Sequence, residues 1–171
     1  MEKALNGLCL TSMGKGRLEH SKGRHLFNYE ALWEESQTKW SMAFELPIIG
    51  QELLAISVRQ KEPLRLKVSG TFSRRLKNDI KGINQKKLLK EFYGALGQFL
   101  LLMKSPQDYR DSKGWELESR EGELLASYDL KKGGEFSLRA YDFSEYYRRM
   151  QFVLNGKERI SLDFFVSQCS L

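Results

Sequence analysis

The 171-residue sequence predicts a mainly β fold with one long helix. This is an α+β architecture: a curved antiparallel sheet, or incomplete β-barrel, with the helix covering its concave face. Two observations predict it. Apolar residues recur with period two through most of the chain, which is the pattern of strands with one buried face. Over Asn84–Met103 the spacing changes to three, four and seven, the pattern of an amphipathic helix. Hydrophobic residues make up 41% and aromatic residues 12%, enough for a packed core over most of the length. The length suits a single domain over residues 1–171, with 1–13 expected as a poorly ordered N-terminal tail.

The elements follow in order. A short strand is expected around Arg17–His20, and a turn at Ser21–Gly23 leads into Arg24–Trp33. There Phe27, Tyr29, Ala31 and Trp33 share one face. Glu34–Gln37 is polar and turn-like. The next strand alternates most cleanly, with Trp40, Met42, Phe44 and Leu46 on one side and Lys39, Ser41, Ala43 and Glu45 on the other. Pro47–Gly50 interrupts it. Gln51–Arg59 resumes with Leu54, Ile56 and Val58, and Pro63 opens a strand carrying Leu64, Leu66 and Val68. The helical pattern is Leu88, Leu89, Phe92, Leu96, Phe99 and Met103, ended by Ser105–Pro106. Beyond Trp115, Leu124, Ala126, Tyr128 and Leu130 alternate, and a Gly133–Gly134 turn separates them from Phe136, Leu138 and Ala140. The last hairpin joins Met150, Phe152 and Leu154 to Ile160, Leu162, Phe164 and Val166 through Asn155-Gly156, a dipeptide suited to a type I′ turn. A sheet with a single apolar face must curl or be covered, and a half-barrel with a helix in its mouth does both while leaving room for a cavity.

The chain carries little that resembles catalytic chemistry. His20 and His25 are the only histidines and have no Cys or Asp companions at metal-ligand spacing. Ser12–Lys15 and Ser36–Lys39 match a serine–x–x–lysine pattern but lack its companion motifs. Gly14-Lys15-Gly16 lacks the spacing of a phosphate-binding loop. The expectation is a binding protein and not an enzyme, with no metal and no cofactor. Cys9 and Cys169 are too few for a disulfide scaffold, and either one bridge or two free thiols fits the sequence. No apolar segment follows Lys3 as a secretory signal requires, and Leu8 before Cys9 does not suit a lipid-modified cysteine.

The net charge of +6 suits an anionic partner. Arg59–Lys90 holds eleven Lys/Arg against two acids, a net +9, which leaves about −3 for the rest of the chain. A phosphate-contacting stripe in a basic nucleic-acid-binding β protein is the alternative function this segment allows. Aromatic interleaving is limited to Phe72, so a solvated strand face running into a solvated helix face fits better. Anionic lipid headgroups are a further possible partner for the same charges. Leu46-Pro47-Ile48-Ile49-Gly50 is more informative, because its Pro–Gly bracketed turn has two β-branched apolar residues at its centre, where polar ones are usual. Two readings stay open: a loop folded back over one end of the sheet, or an apolar tip that enters a membrane.

Gly14-Lys15-Gly16-Arg17-Leu18 through Val58 resembles the N-terminal half of LolB, the outer-membrane lipoprotein receptor of the LolA/LolB lipoprotein-localisation superfamily. The similar features are a Gly-Arg-Leu first strand, an aromatic second strand ending near Trp33, and a third strand running into a Pro-apolar-Gly loop. Tyr147–Val166 resembles the family's C-terminal strands. This loop has two isoleucines where the family usually has one apolar residue. The resemblance implies that lipoprotein acyl chains bind in a cavity lined by Phe27, Tyr29, Trp33, Trp40, Met42, Phe44, Ile56, Leu66, Phe92, Leu96 and Phe99. It implies that Leu46, Pro47, Ile48, Ile49 and Gly50 form a membrane-insertion loop. It further implies a LolA-like periplasmic carrier as donor and the inner leaflet of the outer membrane as acceptor. The protein would be a monomer facing the periplasm, or a soluble periplasmic carrier.

Overall fold

The computed structural model describes residues 2–21, 23–34, 39–46, 50–57, 65–69, 99, 114–130, 134–156 and 159–170. These form a short helix α1 (Glu2–Asn6) and ten strands: β1 (Thr11–His20), β2 (Gly23–Glu34), β3 (Lys39–Leu46), β4 (Gly50–Ser57), β5 (Arg65–Ser69), β6 (Trp115–Arg120), β7 (Glu123–Leu130), β8 (Gly134–Phe143), β9 (Tyr147–Asn155) and β10 (Arg159–Ser170). All ten belong to one antiparallel sheet in the order β5-β4-β3-β2-β1-β10-β9-β8-β7-β6. Two meanders therefore run outward from a central pair made by the first and last strands.

This corrects the α+β expectation. Among the described residues the fold is nearly all antiparallel strand, and no helix reaches seven residues. The long helix read over Asn84–Met103 falls, Phe99 apart, outside the described residues. Strand dominates because one-sided, period-two burial runs through the described parts of the chain.

The strand pattern in the sequence is set by burial on one face. Phe27, Tyr29 and Ala31 are buried in β2, Leu124, Ala126 and Leu130 in β7, and Phe136, Leu138 and Ala140 in β8. Register carries these rows across the sheet. Leu162 pairs with Phe152, Phe152 with Leu138, and Leu138 with Ala126. On the other wing Trp33 pairs with Trp40, Trp40 with Ile56, and Ile56 with Leu66. Apart from Leu130 and Val153, the buried apolar residues of both wings belong to one continuous cluster.

Residues 2–13, read from sequence as a tail, contribute to that cluster. Leu5 and Leu8 are buried, α1 packs beside β7, and the Gly7 carbonyl accepts a hydrogen bond from the Tyr147 backbone N–H at 3.0 Å. The indole Nε1–H of Trp40 donates to the Leu10 carbonyl at 3.1 Å. β1 begins six residues before the expected Arg17, at Thr11. Lys15 between Gly14 and Gly16 hides the alternation there. Cys9 and Cys169 form a disulfide with a Cα–Cα distance of 5.6 Å, resolving the two options the sequence allowed.

One turn differs from its sequence reading. Asn155 pairs with Arg159, so the last hairpin closes through residues 156–158 and not through a two-residue Asn155-Gly156 turn. A two-residue turn would set Leu154 opposite Lys157 and move Ile160, Leu162 and Phe164 to the opposite face from Met150 and Phe152. Register follows burial, and burial outweighs the local turn preference. A two-residue turn with both φ angles positive occurs instead at Glu121 (φ 43°) and Gly122 (φ 82°), where Arg120 pairs with Glu123.

The opposite face is polar at its centre. Arg17 Nε donates to Asp163 Oδ2 at 2.8 Å and its Nη2 to the same oxygen at 2.5 Å, while Gln151 Nε2 donates to Asp163 Oδ1 at 2.7 Å. Asp163 is buried, and its two oxygens tie β1, β10 and β9 together with charge-assisted hydrogen bonds. That bond and the Asp163 charge raise the Arg17 guanidinium further above its ordinary value.

Two stability outcomes follow. The disulfide closes a sequence separation of 160 residues, and loop-closure entropy gives it about 5 kcal/mol at most. A Cys9→Ser, Cys169→Ser chain should lower the urea midpoint markedly, and wild type with a reductant should match it; equal midpoints for oxidised wild type and variant would contradict this. Glu121→Asn should raise stability by about 1 kcal/mol, because asparagine tolerates the left-handed backbone that glutamate occupies at a cost. A lowered midpoint in the same titration would refute it.

Candidate functional site

The site is built on the missing side chains of β1. Gly16 pairs with Phe27 and Gly14 with Tyr29. A Cβ on Gly16 would lie 2.1 Å from the Phe27 ring, so glycine is what admits that ring. Phe164 flanks β1 on its other side, pairing with Gly16. With no β1 side chain between them, β2 and β10 rings meet directly: Phe27–Phe164 at 5.9 Å and Tyr29–Phe164 at 4.9 Å, both edge to face.

These contacts extend into an aromatic row that crosses most of the sheet. It runs from Phe44 to Phe27 at 5.6 Å, Phe27 to Phe164, and Phe164 to Phe152 at 5.7 Å. It continues from Phe152 to Phe136 at 5.9 Å, Phe136 to Trp115 at 5.5 Å, and Trp115 to Phe99 at 4.8 Å. Each such pair contributes about 0.5–1.5 kcal/mol beyond area burial. Three of the six pairs are edge to face, and the other three are tilted or stacked.

The expected lining residues are distributed as follows. Phe27, Tyr29 and Trp40 are buried in the central cluster, and Trp33, Met42 and Phe44 are half-buried against it. Ile56 and Leu66 occupy the same ladder row as Trp40. Phe99 is buried against Trp115. Phe92 and Leu96 lie outside the described residues. In the loop, Leu46 and Gly50 pair and close the β3–β4 hairpin, and Pro47, Ile48 and Ile49 lie outside the described residues. Of the basic segment Arg59–Lys90, only β5 is described.

Sequence reasoning placed Phe136, Phe152 and Phe164 on strands, and took strands to resume only beyond Trp115, without joining any of these to the candidate site. The available signal was the last hairpin: Phe152 opposite Leu162 and Phe164 opposite Met150 follow from keeping the apolar residues of both strands on one face.

Polar groups are few on this face. Tyr29 is 4% exposed, and its Oη has no hydrogen-bond partner among the described residues. The buried Ser12 hydroxyl and Tyr146 are its polar neighbours. A buried hydroxyl left without a partner costs about 1–3 kcal/mol. Burial pushes the Tyr29 phenol above its ordinary value, partly offset by Ser12 and reinforced by Tyr146. Burial raises Tyr147 as well. Among the described residues no group of three His, Cys, Asp or Glu side chains is placed to hold a metal, and no helix is long and apolar enough to cross a membrane.

No protein-family model matches the chain, and comparison with curated proteins returns no relative.

The raised tyrosines fix a direction of pH dependence. The unfolded chain loses phenolic protons near pH 10.0, while Tyr29 and Tyr147 hold theirs to higher pH in the fold. The unfolded state therefore binds fewer protons in that window, so their contribution is complete below pH 10 and is lost above it. Denaturant midpoints should be level from pH 8 to 9.5 and fall towards pH 11, less steeply in Tyr29→Phe. A midpoint as high at pH 11 as at pH 9 would contradict the burial argument.

Proposed function

We propose that this chain binds the acyl chains of lipoproteins on its apolar face and delivers them to a membrane through the 46–50 loop. It would be a LolB-like acceptor, taking cargo from a LolA-like periplasmic carrier and facing the inner leaflet of the outer membrane as a monomer. The observation that carries the reading is the continuous aromatic row from Phe44 to Phe99, an apolar track several strands long. Burial of a methylene contributes about 0.8 kcal/mol, so a sixteen-carbon chain gains on the order of 10 kcal/mol before ordering costs. No nucleotide or metal is needed for this, since transfer follows differences in affinity along the route. The Cys9–Cys169 disulfide supports an oxidising compartment such as the periplasm.

The loop supports the same reading from the sequence side. Full burial of an isoleucine contributes roughly 1.5–3 kcal/mol. Two of them at a hairpin tip allow docking that is weak and reversible, as delivery requires and permanent anchoring does not.

Native mass spectrometry of the oxidised chain should show co-purified lipid or saturable uptake of a palmitoylated peptide. Ile48→Asp with Ile49→Asp should keep that uptake and the unfolding midpoint while abolishing transfer of the peptide into liposomes. Absence of any bound chain would identify the aromatic row as an ordinary packed core and end the proposal. Undiminished transfer by the double variant would end the role of the loop.

A further inference from the structure

We infer that the Tyr29 hydroxyl is the polar anchor of the apolar face, donating a hydrogen bond to the carbonyl oxygen of an ester-linked acyl chain. The inference rests on the lipid-binding reading and adds to it a specificity for esters over plain hydrocarbon. Tyr29 lies in the middle of the aromatic face, edge-on to Phe164 at 4.9 Å and paired with Gly14 of β1. The residue is 4% exposed, and its Oη, with the Ser12 hydroxyl beside it, makes no hydrogen bond of ordinary geometry among the described residues. Buried hydroxyls are rarely left so. Phenylalanine would fill the same space with no stranded group, as it does at the flanking positions Phe27, Phe44 and Phe164.

The chemistry selects the ligand atom. A buried phenol keeps its proton at neutral pH, and its raised affinity for that proton reinforces this, so the group acts as a donor. An ester carbonyl is an acceptor without a proton of its own, uncharged, and tolerated on an apolar face once it is hydrogen-bonded. Ser12 and Tyr146 make this the polar spot of the face, while the aromatic row receives the methylenes. A bound chain would thus be fixed along its length as well as retained.

Binding of methyl palmitate and of hexadecane to the full oxidised chain, each supplied from cyclodextrin and read by tryptophan fluorescence, separates the possibilities. Wild type should bind both probes and favour the ester. Tyr29→Phe should lose about tenfold in affinity for methyl palmitate, one hydrogen bond's worth, with hexadecane binding unchanged. Its ligand-free unfolding midpoint should be unchanged or higher. A variant-free check is the infrared band of carbonyl-labelled methyl palmitate, which should shift to lower frequency on binding wild type. Equal ester affinity in wild type and Tyr29→Phe, or an unshifted carbonyl band, would overturn the anchor and leave lipid binding standing. Failure of both probes to bind wild type would overturn the underlying reading as well.

Discussion

The structure depends on the pairing of the first strand with the last. β1 and β10 lie at the centre of the ten-stranded sheet, and every other strand is added outward from one of them by local antiparallel pairing. The central pair is the one least favoured by chain entropy. Arg17 and Asp163, which meet across it, are 146 residues apart, and Cys9 and Cys169 are 160 apart. Three kinds of interaction hold it: the ladder with its bulge between Met13 and Gly14, the Arg17–Asp163–Gln151 network on one face, and the aromatic packing of Phe27 and Tyr29 on Phe164 on the other. The disulfide adds a covalent closure at its end.

This arrangement explains the glycines of β1. Between the two aromatic strands there is no room for a side chain at Gly16, and at the bulge beside Gly14 a Cβ would lie 1.9 Å from the Phe165 carbonyl oxygen. The loss of β propensity at those positions is offset by ring contacts from β2 to β10. The aromatic row, the buried Tyr29 and the proposed lipid track therefore follow from the same central pair. Outer strands such as β5 and β6 can vary in sequence without disturbing that row's middle.

The opposite face is built differently. Asp163 accepts from Arg17 and Gln151, Arg149 lies 5.2 Å from the Phe165 ring and Arg139 lies 5.0 Å from the Tyr141 ring. A cation over an aromatic face favours the placement of a large side chain such as Phe165 at the surface. One strand thus shows both uses of phenylalanine: Phe164 inward among other rings, and Phe165 outward beneath an arginine.

Local patterning in the sequence was enough to place most strands, because period-two alternation and one-sided burial have a common cause. It also set the pairing of the outer strands, where Leu54 and Ile56 find Val68 and Leu66 through adjacent hairpins. The α+β expectation gave too much weight to one amphipathic spacing, since among the described residues no helix reaches seven residues. The Asn155-Gly156 turn failed because register on the buried face overruled the dipeptide's preference. What only the tertiary structure decided is long-range: which strands are central, the joining of Cys9 to Cys169, the use of Leu5 and Leu8 as core, and the meeting of Phe27 with Phe164. Alternation says which way a side chain faces; it carries no information about which distant strand faces it, and the aromatic row exists only through that second choice.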